Sequence, residues 1–187
     1  MGETSKAFDR RRREGWFEQH AQRLGIDIGC GDNPLTDECE RFDLILGSGD
    51  ATYMKDIPDE FFDYAYASHL LEHLEDPITA LRNWWRIIRP GGRIILVVPH
   101  RDLYEKKTLL PSRFNPAHKH FFLPLRHEPP HTLGLLQLFT EAIGHEFSFH
   151  SLRVLDEQYQ ANGAMNHPDG EYSIEFIALK PKQDLWH

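Results

Sequence analysis

The sequence is poor in cysteine and has no long apolar run. Its 187 residues include two cysteines, Cys30 and Cys39. Two are too few for a disulfide framework, so we expect reduced thiols in a cytoplasmic setting. The N-terminus is charged and lacks the apolar core of a signal peptide, and no stretch reaches the length of a membrane span. These absences favour a cytoplasmic protein with no membrane partner.

An overall excess of positive charge is also absent. Lys and Arg number 21 against 29 Asp and Glu, which gives a formal net charge of −8. Surfaces that bind nucleic acid are usually basic, so we expect no nucleic-acid partner. One basic run occupies residues 10–13, and we expect it to lie on a solvated helix face or in a fraying arm.

Apolar patterning favours a single α/β domain over residues 1–187. The chain is 40% hydrophobic, which is enough for one sizeable core. Short apolar runs predict buried strands at 24–28, 42–46, 61–68 and 93–99. Two later runs, 147–155 and 172–180, are typical of an antiparallel hairpin at a sheet edge.

Helices are predicted between these strands. An N-terminal helix is expected within residues 1–23, with Gly15 weakening its middle. Asp76 and Pro77 suit the N-cap and first turn of a helix that ends at the sequence RPGG. A last helix is expected over 132–143. This order of strands and helices predicts a parallel sheet.

The sequence IDIGCGDNP at 26–34 predicts a glycine turn after the first strand. Gly29 and Gly31 let the backbone approach a ligand closely, but Pro34 stands where a dinucleotide fingerprint has its third glycine. No Gly-Lys-Ser/Thr follows, and the acids of DNPLTDECE would repel a pyrophosphate. A nucleoside without phosphates is therefore favoured, a positive charge on it is compatible, and a nicotinamide oxidoreductase is disfavoured.

The glycine turn resembles the first motif of the Rossmann-like, class I S-adenosylmethionine-dependent methyltransferases. Further motifs follow in that family's order, and the resemblance covers residues 24–100: FDLIL, GDATYMKDIP, FFDYAYASHLLEHLEDP and RIIRPGGRIILVVPH. It implies a doubly wound, mostly parallel sheet with an antiparallel edge hairpin at the C-terminus. It also implies S-adenosyl-L-methionine as the cofactor.

The resemblance assigns roles to residues around the turn. Asp43 corresponds to the acid that binds the ribose hydroxyls, with Glu40 as the alternative because the link from Gly31 is short. Asp27 either orders the glycine loop or contacts the cofactor. The full set of expected cofactor-binding residues is Asp27, Gly29, Cys30, Gly31, Asp43, Asp50, Ala51, Ser68 and His69.

Candidate catalytic residues follow the predicted strands. Ligands of open parallel sheets bind beyond the carboxyl ends of the strands, where His69 follows one strand and His100 another. Methyl transfer from a sulfonium needs donor and acceptor held in line, and a base is optional. We expect His69, His100 and Tyr104 on the acceptor side.

The segment 100–131 is predicted to be a substrate-side loop. It gathers several histidines and basic residues, which suit an acidic or phosphorylated acceptor, or a hydroxyl that must lose its proton. The alternative is a solvated lid that packs onto the core through its phenylalanines, Phe114, Phe121 and Phe122.

Metal binding is not expected. His69 and His73 lie four residues apart, but Glu72 directly precedes His73, so the H-E-x-x-H pattern is not met. We expect His73 to be a packing residue. A second arrangement that could hold a metal combines His100, His118 and His120.

The resemblance, taken with these features, implies a methyltransferase for a small-molecule acceptor, methylated at oxygen. A sugar or another polar metabolite is the acceptor that the similarity to such methyltransferases suggests. The Asn/Asp-Pro-Pro-aromatic signature of nucleic-acid amino methylation is missing, and Ser68-His69 occupies its place. The alternative is a non-catalytic partner subunit that keeps the fold.

Overall fold

A six-stranded sheet organises the chain in the computed structural model, which describes residues 6–182. Its strands are β1 (Gly25–Ile28), β2 (Glu40–Phe42), β3 (Phe62–Ser68), β4 (Ile88–Pro99), β7 (Ser148–Leu155) and β8 (Ser173–Leu179). Their order is β2-β1-β3-β4-β8-β7. The first four are mutually parallel, whereas β8 and β7 are antiparallel to their neighbours. The predicted mostly parallel sheet with a C-terminal edge hairpin is confirmed.

Four α-helices, two 3₁₀ turns (Leu44–Leu46 and Leu71–His73) and a small second sheet complete the described part of the chain. The helices are α1 (Phe8–Arg13), α2 (Trp16–His20), α3 (Pro77–Arg86) and α4 (Leu135–Ile143). Strands β5 (Phe121–Leu123) and β6 (Thr132–Gly134) pair in parallel. None of the helices in this described part is long and apolar enough to cross a membrane.

Hydrophobic packing covers both faces of the large sheet. On one face, Trp84 of α3 and Phe139 of α4 join a core that includes Ile28 and Leu96. On the other face, Trp16 of α2 packs with Tyr66, Ile95 and their neighbours. Burial on both faces explains why the central strands β3 and β4 carry long apolar runs.

Two predicted elements are shorter than expected. The N-terminal segment forms two helices, because Gly15 between them adopts a left-handed conformation with φ of 63°; residues 1–5 of the predicted helix lie outside the described residues. The strand expected at 42–46 ends at Phe42. Beyond it, the Asp43 carboxylate accepts a hydrogen bond from the Ile45 amide and starts a 3₁₀ turn.

Other strands begin earlier than predicted or were not predicted at all. Strand β4 already begins at Ile88, so RPGG lies within a strand, although the helix does end before it as predicted. The segment 100–131 is not wholly a loop, because it contains β5. Residues 132–134 form β6 rather than the first turn of a helix. These three-residue strands pair with each other across the segment 124–131, and local periodicity does not report such pairing.

The solvated-face prediction for the basic run is wrong for two of its four residues. Arg10 is buried and donates two hydrogen bonds to Glu171, at 2.8 and 3.1 Å. Arg11 is also buried, donates to the Tyr66 hydroxyl at 3.0 Å, and lies over the Trp16 ring. The run therefore fastens the N-terminal helices to the sheet.

Candidate cofactor and acceptor site

A cavity of about 500 Å³ opens beyond the carboxyl ends of β1 and β2. Its volume lies in the range of small-molecule sites. Four of the residues expected to bind the cofactor line it: Gly29, Asp43, Asp50 and Ala51. Its other lining residues are Phe42, Leu44, Gly49, Thr52, Tyr53, Leu70, His73, Leu74, Glu75 and Asp76.

The charge of this cavity is one-sided. Asp43, Asp50, Glu75 and Asp76 contribute four carboxylates, of which Glu75 pairs with Lys119 outside the lining, and no Lys or Arg occurs among the lining residues that the structure describes. A phosphate-bearing ligand would be repelled by such a wall, whereas a cation would be attracted. The cavity therefore fits a phosphate-free, positively charged nucleoside.

The glycine turn forms one wall of the cavity. Gly29 has a φ of 79°, and a Cβ at this position would lie 2.8 Å from a methyl carbon of Leu70. Its amide donates to the Phe42 carbonyl at 2.7 Å. Cys30 is buried beside it as a free thiol, and burial raises the pKa of that thiol. The turn thus needs glycine for both its conformation and its packing.

Asp43 rather than Glu40 reaches the cavity. Its two carboxylate oxygens accept hydrogen bonds from the Gly31 amide at 2.8 Å and from the Ile45 amide at 2.9 Å. Glu40 is exposed at the first position of β2. Asp43, which directly follows the carboxyl end of β2, is the residue that the resemblance assigns to ribose binding.

Asp27 lies away from the cavity lining and orders the chain after the turn. It is buried, and its carboxylate accepts a hydrogen bond from the Leu35 amide at 2.7 Å. Burial raises the pKa of Asp27 to about 7, although the Leu35 amide and the nearby Arg11 act in the opposite direction. Of its two expected roles, this geometry favours ordering the loop.

The wall around Asp50 and Ala51 is fixed by helix α3. The Trp84 indole donates to the Ala51 carbonyl at 2.8 Å, and the Asn83 amide donates to the Thr52 carbonyl at 2.9 Å. The Asp50 carboxylate accepts from the Thr52 amide at 2.7 Å. A rigid helix therefore positions the segment expected to contact the adenine.

His69 lies where β3, β4 and β8 meet. It directly follows Ser68, the last residue of β3, and its amide donates to the Val97 carbonyl at 2.8 Å. Its φ of 53° is unusual for a residue with a side chain. Its Nε2 lies 2.9 Å from the Ser173 hydroxyl, and its Nδ1 lies 3.6 Å from a Glu72 oxygen. The imidazole is thus held at Nε2 by Ser173, and its Nδ1 faces Glu72.

His100 and Tyr104 occupy different surroundings. His100 Nδ1 accepts from the Asp102 amide at 3.2 Å, and burial lowers the pKa of this histidine. Tyr104 is buried and packs on the Tyr172 ring at 4.9 Å between centroids; Tyr172 also contacts the His69 ring, at 6.2 Å. Tyr172 therefore links His69 to Tyr104.

The basic residues of the substrate-side loop are largely engaged within the protein. Arg101 pairs with Asp102 and Glu128, and Lys119 pairs with Glu75. Lys106 donates to three carbonyls in the segment 161–166. Phe121 and Phe122 are buried, and Phe114 packs on Tyr104. This geometry favours the lid alternative over a cationic surface for an acidic acceptor.

A buried polar cluster was missed by the sequence analysis. His118 Nδ1 lies 2.8 Å from a Glu105 oxygen, and its Nε2 lies 3.9 Å from a Glu72 oxygen. The His73 ring contacts the His118 ring, with centroids 4.8 Å apart. His118 is 46 positions beyond Glu72, so only the abundance of histidine in the loop hinted at this contact.

Comparisons with known proteins agree with the fold. A family model described as a methyltransferase domain matches residues 41–96. None of the curated proteins compared with the chain matches it. Among solved structures, a SAM-dependent methyltransferase from Archaeoglobus fulgidus is similar, with a TM-score of 0.57 and 19% identity over 96% of this chain and 95% of that one.

Two further structures have the same fold. A SAM-dependent methyltransferase from Methanosarcina mazei has a TM-score of 0.55 and 17% identity over 90% of this chain and 98% of that one. The [4+2]-cyclase SpnF has a TM-score of 0.57 and 14% identity over 92% of this chain and 82% of that one. At such identities the likeness concerns the fold, and the cyclase illustrates that one fold hosts several reactions.

The fold is the one found in S-adenosylmethionine-dependent methyltransferases, and the segment 41–96 matches a methyltransferase domain, in agreement with the resemblance seen in the sequence. This class implies S-adenosylmethionine as the cofactor. The acidic cavity fits that assignment, because the cofactor carries a sulfonium and no phosphate.

Proposed function

We propose that this protein transfers a methyl group from S-adenosylmethionine to an oxygen atom of a small polar acceptor, with a sugar as the candidate, and acts in the cytoplasm. The observation that carries the proposal is the cavity beside the glycine turn, with its four carboxylates and its lack of Lys and Arg among the described lining residues. When bound, the cofactor supplies an electrophilic methyl group.

The residues of this chain have separate tasks in the proposal. Asp43 holds the ribose hydroxyls, and Asp50 and Ala51 hold the adenine. His69 and His100 face the acceptor from the ends of β3 and β4. Burial lowers the pKa of His100, and because its Nδ1 accepts from the Asp102 amide, the neutral ring carries its proton on Nε2 and would donate a hydrogen bond to the acceptor oxygen. The lid formed by the substrate-side loop limits water.

Calorimetric titration with S-adenosylmethionine and with its demethylated product tests the first part of the proposal, which is cofactor binding. We expect the protein to bind either compound and not to bind a nicotinamide dinucleotide. The second half needs a panel of hydroxyl-bearing acceptors and detection of the methylated product by mass spectrometry. Cofactor binding without turnover on the panel, together with a stable protein partner in pull-downs, would instead support the non-catalytic subunit.

A further inference from the structure

We propose that Glu72, His73 and His118 form a binding site for a divalent transition-metal ion such as Zn²⁺. One ligand atom from each residue lies within 4.8 Å of the other two. Glu72 and His118 are buried, and His73 also lines the cofactor cavity. The site would therefore adjoin the cavity on its acceptor side.

The side-chain chemistry favours this kind of ion. Two imidazoles and one carboxylate are typical ligands of zinc and of other first-row transition metals, whereas Mg²⁺ and Ca²⁺ prefer oxygen ligands alone. Tetrahedral bonds of about 2.1 Å bring ligand atoms to about 3.4 Å from one another. From the present separations, movements of about 1 Å would close the site.

Both histidines have a partner within the protein, and the partner of His118 lies at the nitrogen that faces away from Glu72. His118 Nδ1 lies 2.8 Å from Glu105, which directs its Nε2 towards Glu72. His73 hydrogen-bonds to the Ala117 carbonyl. Glu105 is buried and is held in turn by the Ser112 hydroxyl at 2.7 Å. Such outer contacts fix the tautomer and orientation of metal-binding imidazoles.

The backbone also holds the two halves of the site together. The Glu72 carbonyl accepts hydrogen bonds from the Lys119 amide at 2.7 Å and from the His120 amide at 3.3 Å. His120 Nε2 lies 3.1 Å from the Leu74 carbonyl. The lid is therefore anchored to the turn that carries Glu72 and His73, which places His118 beside them before any ion binds.

The other arrangement considered from the sequence is not assembled. His100 Nδ1 accepts from the Asp102 amide and His120 Nε2 contacts the Leu74 carbonyl. Among the described residues that could hold a metal, the group brought together is Glu72, His73 and His118. The sequence predicts no metal site, so the proposal departs from that prediction, and a metal titration distinguishes the two.

A metal here would also bear on the acceptor. Three protein ligands leave a coordination position for water or for an acceptor oxygen, whose pKa the ion would lower. This role rests on the proposed methyl transfer, but metal binding does not. Titrations of metal and of cofactor are separate measurements, so failure of one proposal is distinguishable from failure of the other.

The test is titration of the chelator-treated full chain with Zn²⁺ and Co²⁺ at neutral pH, followed by calorimetry and, for Co²⁺, by visible absorption. We expect saturable binding and a ligand-field spectrum. Glu105→Gln removes the negative charge beside His118 Nδ1, leaves the three proposed ligands in place, and should weaken the affinity about tenfold or more. His118→Ala removes a ligand and should weaken it further.

His145→Ala is the matched control, because His145 is exposed in the segment after α4 and lies outside the site. The metal affinity of the His145→Ala variant should equal that of the unmodified chain. Equal binding by His118→Ala, or no binding by the unmodified chain, overturns the proposal. If circular dichroism shows that His118→Ala is unfolded, His73→Asn replaces it. A Co²⁺ spectrum of the unmodified chain without nitrogen ligation would also overturn it.

Discussion

The Asp43 carboxylate accepts a hydrogen bond from the Gly31 amide at 2.8 Å, so the acid after β2 holds the second glycine of the turn after β1. The same carboxylate starts the turn at Leu44–Leu46 through the Ile45 amide. Two walls of the cavity thus depend on one side chain. This is the geometry expected of a preformed ligand site.

Replacing Asp43 by Asn should weaken S-adenosylmethionine binding by about 10- to 100-fold. A hydrogen bond to a charged group contributes about 1.5 to 3 kcal/mol, and each 1.4 kcal/mol is about a tenfold change in affinity. Calorimetry with the demethylated cofactor measures the effect. Glu40→Gln, at the exposed start of β2, is the control and should bind normally. Equal losses in both variants would refute the assignment.

His69→Ala should lower kcat by about 100-fold if its imidazole accepts the acceptor's proton. Cofactor affinity should change much less, because the ring is held by Ser173 and Glu72 rather than by the turn. His100→Ala is compared in the same assay, with kcat and KM determined separately. A loss under about threefold in either variant would indicate positioning or packing for that residue.

Asp27→Asn should stabilise the protein at pH 8 and have little effect near pH 4. The pKa of Asp27 is raised from 3.8 to about 7, so the folded state binds the proton more tightly than the unfolded state. The unmodified protein therefore loses stability as the pH rises from about 4 to about 7, by up to a few kcal/mol. Urea unfolding at several pH values measures this. Destabilisation of Asp27→Asn at pH 8 would instead mean that Arg11 stabilises the carboxylate.

Arg10→Met should destabilise the fold by about 3 kcal/mol, because it leaves the buried Glu171 without its cation. The double variant Arg10→Met/Glu171→Leu should recover much of that loss. Arg12→Met, at an exposed position of the same helix, should change the free energy of unfolding by less than about 0.5 kcal/mol. Equal effects of the two single variants in urea unfolding would contradict the buried role of Arg10.

Local sequence signals predicted the elements whose cause is local. Asp76 caps α3 through the Thr79 amide as its position before Pro77 suggests, and the apolar run after RPGG is a buried strand. The turn at Leu44–Leu46 was mistaken for a strand, because its apolar residues hid the effect of Asp43 on the backbone. Strand β5 and the contact of Glu72 with His118 arise from distant pairing, which one sequence does not encode locally.

The same distinction between local and distant causes applies to the site residues. Gly29, Asp43, Asp50 and Ala51 belong to motifs in a fixed order, and the cavity brings them together. Arg11, buried over Trp16, was read as solvated because charge alone says nothing about the ring beneath it. The acceptor side has no such motif, and its contacts run between segments far apart in the chain.

The hydrogen bonds from Lys119 and His120 to the Glu72 carbonyl have a consequence for binding equilibria. Leu74 and Glu75, which line the cofactor cavity, also hold His120 and Lys119. A molecule that orders the cofactor cavity lowers the entropic cost of ordering the lid, and a molecule that orders the lid has the same effect on the cavity. In a two-substrate reaction on this scaffold, prior occupancy by the donor would then tighten the acceptor's Kd, and the converse would hold to the same degree.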